Sequence, residues 1–332
     1  MFVKNNLELV CPAGTPAALR YAVEAGADTV YLGFRDETNA RNYPGLNFSY
    51  EELKSSVAYA HEKNVAVFVA INTNPKAGNM DPWKKAVDNA VSAGADAVIL
   101  SDLGLISYTA KKYPNFRIHL SVQAFASTVE SVNFYQKEFG IKRAVLPRIF
   151  TLREIEEIIK KTTVEVEIFA FAVAGPMAEG RCILSSYVTG KSPNSGGACS
   201  PAEFIEYQED GKLLKTKLNG VLVNQVEVGE PAGYPTLCRG RYVVNGEKKY
   251  LFENPSSLNV IDILPRLKEI GVVAIKIEGR QRGKSYVREV VSTFRNAIDN
   301  GYSANNTGGE NDIAGLCEGC QTTSGAFRKK WL

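Results

Sequence analysis

Three stretches of this 332-residue chain repeat one device: Glu24-Ala-Gly-Ala-Asp-Thr-Val-Tyr-Leu32, Ser92-Ala-Gly-Ala-Asp-Ala-Val-Ile-Leu100 and Glu269-Ile-Gly-Val-Val-Ala-Ile-Lys-Ile277. In each, a helical pattern stops at a glycine and an apolar, β-type run begins almost at once. Continued along the chain, the alternation predicts strands over 7–11, 29–33, 66–71, 97–101, 118–122, 144–146, 165–171 and 272–277. Helices are predicted over 16–25, 50–63, 82–93, 103–112, 129–139, 152–161, 260–270 and 285–300. Eight βα units of this kind point to an α/β fold, a (β/α)8 TIM-like barrel, rather than an open doubly wound sheet. No Gly-x-Gly-x-x-Gly turn supports a dinucleotide-binding fold.

The alternation is broken once, between strands seven and eight. Residues 172–259 form a Gly/Pro/Ser-rich insertion that carries Cys182, Cys199 and Cys238. A βα loop of that length is expected at the C-terminal mouth of the barrel, where barrel enzymes place their chemistry. The expected division is therefore a barrel from 1–171 and 260–300, the insertion 172–259, and a linker and tail over 301–332. The predicted strand ends are rich in polar residues: Asn72, Thr73, Asn74, Ser101, Asp102, Ser121, Gln123, Arg148, Lys276, Glu278 and Arg280. Such residues also cap helices, and Ser101 and Asp102 suit that role equally well. Guanidinium groups converging on one mouth would bind an anionic small molecule, because Arg offers a planar fork matched to carboxylates. Tyr187, Phe204, Tyr207 and Tyr234 on the insertion are candidates for an apolar wall, or for the insertion's own core.

Clustered cysteines on a glycine-rich loop suggest a bound metal. A disulfide framework belongs to small secreted domains, and the start Met-Phe-Val-Lys-Asn-Asn shows no apolar leader, so a reduced, cytoplasmic protein is expected. Thirty-nine basic against thirty-six acidic residues give a net charge of +3. That balance makes nucleic acid or an anionic membrane an unexpected partner, and no apolar run is long enough to span a bilayer. Cys11, at a strand end, is taken as a small buried hydrophobe.

The segments Glu8-Leu-Val-Cys-Pro-Ala-Gly14, Met177-Ala-Glu-Gly-Arg-Cys-Ile-Leu-Ser-Ser-Tyr-Val-Thr-Gly190, Gly197-Ala-Cys-Ser-Pro-Ala202 and Ile277-Glu-Gly-Arg-Gln-Arg282 resemble the collagenase-like peptidase family, whose members include oxygen-independent hydroxylases. Thr38-Asn-Ala-Arg41, Gly45-Leu-Asn-Phe48, Gly229–Cys238 and Gln321-Thr-Thr-Ser-Gly-Ala326 are most similar to its ubiquinone-biosynthesis branch. The resemblance implies a [4Fe–4S] protein that hydroxylates a ubiquinone precursor as a heterodimer with a UbiV-like paralogous subunit. It also implies prephenate, a dicarboxylate, as oxygen donor, for which Arg148, Glu278, Arg280 and Arg41 are the site candidates. Cys182, Cys199 and Cys238 align with three of the family's four cluster cysteines. The fourth position is Gly175, which has no ligating atom. The chain carries an extra Cys317 and Cys320 in its tail, so the fourth iron is met by Cys320 or Cys317, is left open, or the cluster is lost.

Three other readings compete. A peptidase would need more than the two histidines present, His61 in a helical pattern and His119 within a strand pattern. RNA hydroxylation is known among family members and would call for a basic face, whereas the Lys and Arg here are dispersed apart from Arg328-Lys-Lys. A non-catalytic, partner-stabilising subunit with a decayed metal site is the third.

Overall fold

The computed structural model describes residues 7–230, 232–301 and 313–328. Seven strands alternate with six helices: β1 (Glu8–Pro12), α1 (Pro16–Glu24), β2 (Thr29–Gly33), α2 (Tyr50–Glu62), β3 (Ala66–Ile71), α3 (Asp81–Ser92), β4 (Ala97–Leu100), α4 (Leu103–Lys112), β5 (Arg117–Leu120), α5 (Val129–Phe139), β6 (Arg143–Val145), α6 (Leu152–Lys160) and β7 (Glu165–Val173). Helix starts follow from capping chemistry. Ser49 and Glu52 form a reciprocal capping box at α2, as do Thr151 and Glu154 at α6, and Thr15 caps α1.

The insertion contains α7 (Leu184–Thr189), α8 (Pro193–Gly196), the antiparallel β8 (Ile205–Asp210), β9 (Leu213–Leu218) and β10 (Val221–Glu227), and the hairpin of β11 (Arg241–Val244) and β12 (Glu247–Tyr250). Then come β13 (Ser257–Asn259), α9 (Leu264–Glu269), β14 (Ala274–Ile277), α10 (Lys284–Asn300) and β15 (Thr322–Thr323). β1 to β7 are parallel neighbours in chain order, and β14 pairs with both β7 and β1, which closes the eight-stranded barrel.

Three features differ from the sequence expectation. The single helix over 260–270 divides into a 3-10 turn, Ile261–Ile263, and α9, because Pro265 has no N–H to continue a helix and instead starts one. The insertion does not leave the barrel at once, since β7 runs on to Val173 and β13 pairs antiparallel with that extension. The tail returns to pair β15 with β13. The expected linker 301–312 lies outside the described residues beyond Gly301.

Apolar side chains between strands and helices form the main core, while Val10, Tyr31, Ala66, Phe68, Ala70, Ala97, Ile99 and Ala274 form a second cluster. Next to this second cluster is an ionic layer. Arg143, 1% exposed, donates to Glu8 at 2.6 Å, Glu165 at 2.8 Å and Glu167 at 3.1 Å, and Lys276 donates to Glu167 at 2.7 Å. Burial opposes ionisation of Glu167, yet Lys276 and Arg143 hold its carboxyl below the usual range. Removing one member strands the others as unpaired buried charges. Arg143→Met should lower unfolding stability in urea by about 3–5 kcal/mol. A loss under about 1 kcal/mol would show that the network adds nothing to the barrel.

Candidate active site

The C-terminal ends of the strands surround a cleft of about 560 Å3, open mouth included. Its apolar wall is Ala70, Ile99, Val122, Val145 and Phe169, with Tyr31 below. Its polar lining is Arg41, Asn72, Ser121, Gln123, Arg148, Glu179, Lys276, Glu278, Arg280 and Gln281. A bulge helps to aim this set: Lys276 stands opposite Phe169 and Ile277 opposite Phe171, so β7 has one extra residue where β14 ends.

Glu278, just past β14, is clamped by two guanidinium groups. Arg41 Nη2 donates to one carboxylate oxygen at 3.0 Å and Arg148 Nη1 to the other at 2.9 Å. Arg148 also donates to Glu179 at 2.6 Å and to the Val173 carbonyl at 2.5 Å, and lies 4.3 Å from the Phe169 ring centre. Burial works against the charge on Glu278, but Arg148 and Arg41 bring its pKa down to about 2. Glu278 is therefore a fixed carboxylate at neutral pH.

Arg280 is different. It is 5% exposed, donates to the Asn39 side chain at 2.7 Å, and has no carboxylate within ion-pair distance among the described residues. Burial lowers its pKa to about 10. Its guanidinium and the Lys276 ammonium lie over the same Tyr31 ring, at 5.4 and 3.9 Å from the centre. Arg280 thus faces the cleft as a buried cation with no carboxylate of its own among the described residues.

The insertion roofs this mouth. Arg41 Nη1 donates to the Gly197 carbonyl at 3.1 Å, and Asn74 N–H donates to the Asn194 carbonyl at 3.2 Å. Gly197 has φ +82° and packs where a Cβ would stand 2.6 Å from Ala40, so only glycine admits this docking. Cys199 follows two residues on. Crowding by the surrounding protein raises its thiol pKa although the residue still reaches solvent; Arg41 opposes the shift, and Cys238 and Cys182 add to it. Cys182 and Cys238 are half-buried, Cys199 is exposed, and all are free. Among the described residues, no three Cys, His, Asp or Glu side chains are close enough to hold one metal ion. A polynuclear cluster places each thiolate on a different iron and so takes wider spacing than a single ion does.

Arg148, Glu278 and Arg280, anticipated from the sequence, meet at the mouth, together with Asn72, Ser121, Gln123 and Lys276. Asp102 instead caps α4 by accepting from Leu105 N–H at 2.8 Å, and Thr73 bonds the Glu37 carbonyl and Trp83. The aromatic wall expected on the insertion is absent from the cleft: Tyr187 is 80% exposed, Tyr207 is also exposed, Phe204 lies under Lys191, and Tyr234 donates to the Ser200 carbonyl. Asn39 was not anticipated, because nothing in its local pattern separates it from a turn residue. His61 pairs with Asp96, and His119 is buried against Phe68 with its pKa lowered by burial and by Arg143. Cys11 is buried in the core, as expected.

The fold and the mouth define an α/β-barrel protein with a cationic site at the C-terminal face, roofed by a thiol-bearing insertion. The chain belongs to peptidase family U32, whose family model matches residues 14–328. It is 33% identical over 311 residues to tRNA hydroxylation protein P of Escherichia coli (strain K12), covering 88% of this chain and 68% of that one. It is 29% identical over 300 residues to the 23S rRNA 5-hydroxycytidine C2501 synthase of the same organism, covering 89% and 40%. A collagenase of Porphyromonas gingivalis (strain ATCC BAA-308 / W83) is 27% identical over 306 residues, covering 89% and 66%. The chain thus spans roughly two thirds of its tRNA-hydroxylation relatives. The solved U32 peptidase Mk0906 shares the fold, with a TM-score of 0.51 at 13% identity over 83% of this chain and 94% of that one. RNA-modifying relatives stand in tension with the expectation from charge that nucleic acid is not a partner. Among the described residues, no helix is long and apolar enough to cross a membrane.

The Glu278 clamp has a pH signature. A carboxyl whose folded pKa is about 2, against about 4.3 unfolded, stabilises fully above pH 5 and loses that contribution as pH falls toward 2. The stability gap between wild type and Glu278→Gln should be constant from about pH 5 to 7 and shrink at lower pH. A gap that ignores pH would mean that Glu278 is not held ionised.

Proposed function

We propose that this chain is the iron–sulfur component of an oxygen-independent hydroxylase, with a cluster on Cys182, Cys199 and Cys238 and an anionic small molecule bound at Arg280. The observation that carries the anion site is the buried Arg280 guanidinium, held by Asn39 and left without a carboxylate. The hydroxylation reading is supported by relatives named for tRNA and rRNA hydroxylation. The finer reading is a UbiU-like role in ubiquinone biosynthesis, with a UbiV-like partner and prephenate as oxygen donor. A dicarboxylate suits the cations, and an aromatic ring suits Phe169, Val145 and Ile99.

In this reading Arg280 binds a substrate carboxylate, and Lys276 adds positive charge at the floor. Arg148 and Arg41 hold Glu278 ionised, so it accepts hydrogen bonds and does not donate a proton at neutral pH. The apolar wall excludes water beside the ring. Cys182, Cys199 and Cys238 would hold the cluster, which would supply electron exchange at a potential set by burial and hydrogen bonds to sulfur. Glu179, Glu278 and Arg280 face the cleft, which speaks against a decayed, purely structural subunit, whereas Arg181 is exposed over the Phe125 ring and does not line it.

Nucleobase hydroxylation is the second reading, favoured by the 33% identity to the tRNA protein. Anaerobic cells lacking the gene separate the two. Loss of hydroxylated quinone precursors with intact tRNA hydroxylation supports the first reading, and the reverse supports the second. Arg280→Ala should weaken dicarboxylate binding about 10- to 100-fold, the size of a lost charge-assisted contact, with iron content unchanged. Arg148→Ala should likewise cost more activity than iron. Equal loss of iron and activity would make these arginines structural.

A further inference from the structure

We propose that the Lys276 amine is a nucleophile that holds a 2-oxo acid as a covalent iminium, with the acid's carboxylate on Arg280 and its side chain against the apolar wall of the cleft. The proposal rests on the anion site at Arg280 and gives that site a substrate class. It does not depend on the cluster.

The barrel sets the amine in the cleft. Lys276 lies near the C-terminal end of β14, opposite Val10 of β1 and Phe169 of β7. Opposed residues of neighbouring strands share a face; Val10 belongs to the inner cluster and Phe169 lines the cleft, so Lys276 also points into the barrel. Among the described residues it is the one buried lysine, and it lines the same cleft as Arg280. Both cations stand over the Tyr31 ring, whose hydroxyl is engaged in donating to the Ile277 carbonyl at 2.9 Å. Lys276 is therefore the nucleophile that the cleft offers to a carbonyl carbon beside a carboxylate.

Its surroundings favour loss of a proton. Burial pulls the Lys276 amine below the usual lysine range; Glu167 works against that, and Arg280 and Arg143 add to it. A desolvated lysine beside other cations is the arrangement that makes an amine nucleophilic near neutral pH. A proton acceptor already touches it, because Nζ donates to Glu167 at 2.7 Å. Glu167 also accepts from Arg143 at 3.1 Å, so it keeps a cationic partner when the lysine is neutral. A counter-ion serving the fold alone is thus present in Arg143, and Lys276 is free to react.

The step balances without a co-reactant. The ammonium gives one proton to Glu167, and Nζ then forms a bond to the ketone carbon as the C–O π bond breaks. A second proton passes from nitrogen to that oxygen, Glu167 returns the first, and the C–O bond breaks with release of water. Ammonium and 2-oxo acid have become iminium and water, with nothing oxidised or reduced. The acid is then fixed beside Ile99, Val145 and Phe169, and the positive nitrogen draws electrons from bonds at its next carbon.

The test uses the full chain with phenylpyruvate as probe and phenyllactate, whose hydroxyl replaces the ketone, as control. Binding is measured by calorimetry, and sodium cyanoborohydride reduces any iminium to a stable secondary amine that peptide mass mapping locates. Wild type should bind both acids and, with phenylpyruvate alone, gain about one adduct per chain, at Lys276. Arg280→Ala should slow that trapping about 10-fold at low acid concentration, the size of a lost charge-assisted contact. Lys276→Arg keeps a cation for Glu167 but has no amine to react; it should still bind phenyllactate and form no adduct at that position. Binding of phenylpyruvate without an adduct at Lys276, or labelling of exposed lysines as fast as Lys276, overturns the proposal and leaves the anion site intact. Failure of wild type to bind either acid overturns the anion site, and the proposal with it. Should Lys276→Arg fail to fold, the peptide map of wild type decides.

Discussion

One carboxylate, Glu278, holds the mouth together. It draws Arg41 from the loop after β2 and Arg148 from the loop after β6 onto the end of β14, and each arginine then reaches the insertion, through Gly197 and through Glu179. Buried charges are costly unless paired, and here the pairing joins elements distant in sequence. The mouth groups do not balance. Arg41, Arg148 and Arg280 face Glu278 and Glu179, three positive charges against two negative, while Lys276 is matched by Glu167. That residual charge, together with the low-dielectric walls around it, is what the proposed anion site rests on.

The barrel was legible in the sequence because each βα unit writes its own local signal. An apolar run, a capped amphipathic helix and a closing glycine are readable without knowing what lies across the sheet. The strand ends were legible for the same reason, and Arg148, Lys276, Glu278 and Arg280 meet where the barrel geometry places them. Long-range partners were not readable. Asn39 matters because Arg280, 241 residues away, needs an acceptor. The Arg41 clamp likewise depends on a contact 237 residues away.

The insertion was the least readable part. Its strands β8 and β12 are exposed along almost their whole length, so their hydrophobic alternation is weak. β13 and β15 are three and two residues long, too short for any period, and exist because they pair with the extension of β7. The insertion's aromatic residues do not line the cleft, whose apolar wall comes from the barrel: strand residues such as Phe169 and Ile99 point inward and need no loop to supply them. The insertion contributes the thiols and Glu179 and the barrel the other charges, with Arg41 between them, bonding both Glu278 and the Gly197 carbonyl.

That adjacency is the central claim, and the spin-resonance spectrum of the reduced, anaerobically prepared protein tests it most directly when recorded with and without a dicarboxylate. The account predicts an iron–sulfur signal that shifts on adding the anion, and a shift that is lost in Arg280→Ala. A protein without that signal, or a signal indifferent to the anion in wild type, would contradict it.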